Sequence, residues 1–200
     1  MIIGNYVNYD TTIPEGSMFY RSSIISEANL PDSALLNLED DESLYYLTVN
    51  MLSTLSNQIL PGRYINLYIA TSQDDKAVFT KFIENVKVLQ VKTSDGLNVF
   101  EDSTVTRTPY VLYFALPKDI YLLMNDIETI NAYSISDENS GFSSIRIKID
   151  PTNVYEKEEE KKTKPEVVSQ YLKDYILSLV AEIPEDVRIN EGNIQTTITE

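Results

Sequence analysis

Apolar and polar residues alternate with period two along several stretches of this chain, and each such stretch predicts a strand. The clearest is Ile145-Arg146-Ile147-Lys148-Ile149-Asp150, where three isoleucines take one face and three charged residues the other, up to Pro151. Successive side chains leave opposite sides of a strand. Tyr64 to Ile69 therefore sends Ile65, Leu67 and Ile69 one way and Tyr64, Asn66 and Tyr68 the other. Leu44 to Asn50 and Phe79 to Val91 are further extended stretches, rich in β-favouring residues. Tyr110 to Leu116 is almost continuously apolar, the pattern of a central strand buried on both faces.

The period then changes. After Pro117, suited to a first helical position, Ile120, Leu123, Met124 and Ile127 recur at helical spacing and predict a short amphipathic helix. Beyond Pro165 the stripe Val168, Tyr171, Leu172, Tyr175, Ile176 and Leu179 predicts another, up to about Glu182.

Punctuation divides the chain. Ile13-Pro14-Glu15-Gly16, Leu60-Pro61-Gly62-Arg63 and Asp95-Gly96 read as turns, and Asn29-Leu30-Pro31-Asp32 as a break. Glu39-Asp40-Asp41-Glu42 reads as a solvated loop rather than a cation site, because four like charges repel one another in any dry setting. Nothing from Glu156 to Lys164 suits a core, so the compact part is expected to end near Val154. The expected organisation is an initial portion over 1–42, a β-rich domain over 43–155, a charged linker over 156–165, and an amphipathic helix with a polar tail over 166–200. The expected fold class is mainly β (α+β).

Composition removes whole classes of function. With a net charge of -15, the chain repels phosphate backbones, and nucleic acid is excluded as the main partner. Anionic lipid is disfavoured for the same reason. No window reaches the roughly 20 apolar residues of a spanning helix, and Met1 to Tyr6 has no signal-peptide character. The chain therefore reads as soluble, with membrane contact only through an anchor outside it. The sequence has no His and no Cys, so Ser-His-Asp and Cys-His catalysis, disulfides, and zinc sites built on those ligands are ruled out. No glycine-rich phosphate loop or calcium loop occurs. A carboxylate pair or a lysine nucleophile remains conceivable but unspecific, so no catalytic, metal or cofactor-binding residue is assigned and a non-enzymatic role is expected.

Two features suggest contact with other molecules. Tyr64, Asn66 and Tyr68 combine phenol rings with an amide, a mixture suited to protein or glycan surfaces. The alternative is that a neighbouring layer buries them. The second feature is the helix face of Tyr171, Leu172, Tyr175, Ile176 and Leu179, which packs either on the domain's own flank or on a partner, including a second copy.

The order of these pieces resembles the CpaB family of Flp (Tad, type IVb) pilus assembly proteins, which join a SAF (β-clip) domain to an RcpC-like region. Ile13 to Ile24, IPEGSMFYRSSI, is similar to the family's SAF turn and strand. Pro61-Gly62-Arg63-Tyr64-Ile65-Asn66-Leu67 stands for its PGDxVDV, and Phe82 to Leu89 for its LLxNVxVL, followed by an apolar strand, a helix and a closing strand. Arg63 and Asn66 depart from acidic family positions, and the helix is not alanine-rich, marking a distant resemblance. It implies a SAF-like portion over 1–42, incomplete on its N-terminal side, and an RcpC-like domain over 43–155. It also implies an extracytoplasmic, membrane-anchored place in the cell envelope, with pilin, platform or channel subunits as partners. The rival expectation is a peptidoglycan or glycan-binding module, since tyrosines stack on sugar rings.

Overall fold

The computed structural model describes residues 4–8, 11–18, 20–27, 30, 32–73, 76–100, 104–134, 144–155 and 164–184. Most of the charged linker, and the polar tail from Asn193 to Glu200, lie outside these. Two sheets and two α-helices occur among the described residues, so the fold is mainly β, of the α+β kind.

A short antiparallel pair comes first, β1 (Asn5–Val7) with β2 (Ile24–Ser26). In the segment between them the Ser17 N–H donates to the Pro14 carbonyl at 3.1 Å, so the turn spans Pro14 to Ser17, one residue beyond the position expected.

The main sheet contains β3 (Glu42–Thr48), β4 (Arg63–Gln73), β5 (Lys76–Lys92), β6 (Val111–Pro117), β7 (Arg146–Tyr155) and β8 (Glu166–Val167). Its spatial order is β3-β6-β5-β4-β7, with β8 beside β5, and every pairing is antiparallel. The Leu60-Pro61-Gly62-Arg63 turn launches β4. Arg63 N–H donates to the Leu60 carbonyl at 3.2 Å, and Gly62 sits at φ +81, the backbone a type II turn demands at its third residue.

Strand β5 runs for 17 residues and serves three partners: its first part pairs with β4, its last part with β6, and Ile83 and Glu84 with β8. Between the pairs Ile65↔Val86 and Leu67↔Ile83, and again between Leu67↔Ile83 and Tyr68↔Lys81, β5 carries an extra residue, and a third irregularity follows at Val88/Gln90. Asn85 lies in the first of these with φ 61, left-handed backbone that asparagine tolerates better than most residues. Each bulge adds bend and twist, so the sheet coils instead of lying flat.

The core lies on one face of this sheet, its inner face. Ile65, Leu67 and Ile69 are buried there, as the alternation of β4 predicts, together with Val86 and Val88 of β5 and Leu112 and Phe114 of β6. Helix α1 (Lys118–Ser134) covers them with Ile120, Leu123, Met124, Ile127 and Ile130. It begins one residue after Pro117, which closes β6 instead of opening the helix.

Helix α2 (Gln170–Glu182) packs beside α1 and puts Leu172, Ile176 and Leu179 into the same core, followed by Ile183. Of the two settings left open for this helix, it occupies the domain's own flank. The preceding Glu166–Val167 pairs with Glu84 and Ile83 of β5, and Lys164 reaches Glu39 and Asp41 at 3.2 and 3.3 Å. The segment past the charged run is thus integral to the domain.

Pro151 is a further correction. The strand does not stop there but continues to Tyr155, because β7 is an edge strand and proline is tolerated where no ladder bond is required of its nitrogen. The outer face of the sheet is partly covered as well. Leu30, Ser33 and Ala34 are buried, and Gln90 donates its side-chain amide to the Ser33 hydroxyl, tying the initial portion to β5.

Candidate functional site

The outer face of β4 carries the three residues singled out from the sequence, and it treats them differently. Tyr64 is buried at 5% exposure, whereas Asn66 and Tyr68 are half-buried. Their sheet neighbours follow from register: Asn66 lies across from Asp150, and Tyr68 lies between Lys81 of β5 and Lys148 of β7. One row further, Ala70 lies between Phe79 and Arg146. The Phe79 ring stacks on Tyr68 with centroids 5.2 Å apart and planes 15° from parallel, while remaining 66% exposed. Accessible aromatic surface on this face therefore comes from Phe79 and Tyr68, not from Tyr64. Nothing in the local pattern of β5 marked Phe79, because its exposure depends on the register with β4.

On α2, Leu172 and Ile176 are fully buried and Leu179 nearly so, so these three serve packing. Tyr175 is half-buried with its hydroxyl 3.5 Å from the Ser72 carbonyl, and Tyr171 is exposed.

A second feature arises from the coiling. Strands β3 and β7 are the two ends of the main strand order, yet both line one groove of about 370 Å³. Its apolar walls are Leu47 of β3, Ile147 and Ile149 of β7, and Leu52 and Leu55 of the connecting loop. Its polar contributors are Thr48, Asn50, Ser53 and Lys148, and Lys148 is its one ionisable side chain.

The loop beside the groove has an unusual backbone. The Asn50 side-chain carbonyl accepts from the Leu52 and Ser53 N–H groups, both at 2.9 Å, starting a helical turn. Leu55, Ser56 and Asn57 then follow with φ of 51, 58 and 66. Such left-handed backbone costs a non-glycine residue roughly 1 kcal/mol or more. Asn57 is anchored by donating its side-chain amide to the Arg107 carbonyl at 2.9 Å. The loop leaves Leu52 85% exposed and Leu55 48% exposed.

Perturbed titrating groups lie away from both features. Burial, and then the 2.5 Å hydrogen bond it donates to Glu128, push the Tyr45 phenol far above its usual range, so it acts as a fixed donor between β3 and α1. Burial also raises the Asp126 carboxyl on α1. Among the described residues no three of His, Cys, Asp and Glu converge as a metal site, and no helix is long and apolar enough to cross a membrane.

Comparison of the chain with protein-family models, with curated proteins and with solved structures yields no match.

Proposed function

We propose that this chain is a non-enzymatic assembly component of the cell envelope, of the Flp (Tad) pilus type, that works by holding partner proteins. The observation that carries the protein-binding part is the groove between β3 and β7: an apolar trough bounded by two sheet edges, with no carboxylate in its lining. A hydrolytic site of the glycosidase kind needs two carboxyl groups flanking a cleft, and this cleft has neither. An exposed apolar trough beside an exposed leucine loop is what protein association consumes.

The pilus assignment is supported by the order of segments quoted above: the IPEGSMFYRSSI stretch, the Pro61-Gly62 turn with its strand, the Phe82 to Leu89 strand, and then an apolar strand, a helix and a closing strand. On this reading the chain acts outside the cytoplasmic membrane, held there by an anchor elsewhere, and contacts pilin, platform or channel subunits. The test is affinity capture from envelope extracts of the source organism with this chain as bait. Recovery of pilus assembly subunits is the expected result, and their absence from repeated captures overturns the assignment.

A second reading, glycan binding, is favoured by one observation, the exposed Phe79 ring beside Tyr68. Calorimetric titration with wall glycan fragments tests it, since emission from the 14 tyrosines of the chain would not single out Tyr68. A saturable change that Phe79→Ala abolishes would establish this reading in place of the first.

A further inference from the structure

We infer that the groove between β3 and β7 takes an extended peptide from a partner protein, inserted as a strand, with apolar side chains facing the core and an acidic side chain beside Lys148. This rests on the reading of the chain as a protein-binding component and narrows it to one mode of binding and one sequence pattern.

The backbone specifies an extended guest. Among the described residues β7 pairs only with β4, and β3 only with β6, so each presents its other edge as a row of N–H and C=O groups. A strand edge of this kind is a template for a further strand. Here two such edges border one trough, and a peptide paired with the β7 edge lies against the Leu47 wall.

Side-chain alternation specifies the pattern. Ile147 and Ile149 are half-buried against the core, as is Leu47 across the groove. A guest residue in line with them completes that burial only if it is apolar. The intervening guest residue points to the outer face and continues the row Lys81, Tyr68, Lys148. Among the described residues neither Lys148 nor Arg146 has an ion-pair partner, and both are exposed on that face. Directly opposed unlike charges stabilise a strand pair, and like charges destabilise it. The chain as a whole is acidic at -15 and Asp150 follows on the same face of β7, so it is the local pair Lys148 and Arg146 that selects an acidic guest residue by complementarity. The required pattern is apolar-acidic-apolar, over the roughly 7 Å that Ile147 to Ile149 span at strand spacing.

The loop supplies a second, independent indication. Three consecutive left-handed residues hold Leu52 and Leu55 over the groove, exposed to water. Backbone strain and leucine exposure both cost stability in the isolated chain, and a guest that covers the leucines offsets them.

The experiment is a selection of displayed random nine-residue peptides on the purified full chain, followed by binding measurements on the synthetic winners. Enriched peptides should share the apolar-acidic-apolar alternation. Methylating the alternate backbone nitrogens of a winner should weaken it at least tenfold. Lys148→Glu, a change at an exposed position, should also cost at least tenfold, and replacing the peptide's acidic residue by lysine should restore binding to that variant. No enrichment, enrichment without alternation, or indifference to backbone methylation or to Lys148→Glu overturns the inference. Repeating the envelope capture with Lys148→Glu separates the two claims. Undiminished recovery of pilus subunits leaves the assembly role standing and removes the groove from it; peptides that bind as described, with no pilus subunit captured, do the reverse.

Discussion

Single residues set the curvature on which the groove depends. Asn85, at φ 61 in the first bulge of β5, sits where a β-branched side chain collides with its own backbone. Asn85→Val should lower stability by about 1–2 kcal/mol in urea unfolding, and Asn85→Gly should be neutral or slightly stabilising. Asp126 offers a test of opposite sign. Burial raises its carboxyl above the ordinary 3.8, so the folded chain holds that proton more tightly than the unfolded chain, and stability is lost as pH rises through the folded value. Asp126→Asn should therefore melt higher than the parent at pH 7, and the difference should vanish below pH 3.8, where both states of the parent are protonated. At this scale the sequence was partly legible. The alternation in Ile65, Leu67 and Ile69 announced their burial, because period two is a local property. The opposite fates of Tyr64 and Tyr68 were not announced, since they depend on what crosses the outer face.

Among the elements, α2 has the largest consequence. Leu172 and Ile176 are fully buried in the main core, so Ile176→Ala should cost about 2–5 kcal/mol, whereas Tyr171→Ala on the exposed side should stay within about 0.5 kcal/mol. Denaturant titration of the two variants measures the contrast, and equal small effects would mean that the helix is not held as described. Its start is fixed by Ser169, whose hydroxyl accepts from the Leu172 N–H at 3.3 Å. The helix stripe was visible in the sequence, but its destination was not. A charged run separates it from the strands, and the two-residue β8 that returns the chain to β5 is too short to leave a periodic signal. The groove was hidden for a related reason. Leu47 and Ile147 stand far apart in the chain, and three strands lie between theirs in the sheet, so no local pattern pairs them.

For the molecule as a whole, charge is the dominant global property. With 31 acidic against 16 basic residues, the folded chain works against its own field, and added salt screens that repulsion over about 10 Å at 0.1 M. The melting temperature should rise as sodium chloride is increased from low levels to a few hundred millimolar; a fall would show that exposed ion pairs such as Lys164 with Glu39 and Asp41 outweigh the net repulsion. The topology adds a temporal consequence. Residues from β3 to Ile183 share one core, and its last four contributors, Leu172, Ile176, Leu179 and Ile183, leave the ribosome after almost everything they cover. The β4–β5 hairpin can close early at small entropic cost, but the wall against α1 stays open until α2 arrives. A nascent chain is therefore kept from reaching its native state until synthesis has passed α2, and for that interval its apolar sheet is open to association with other unfolded chains.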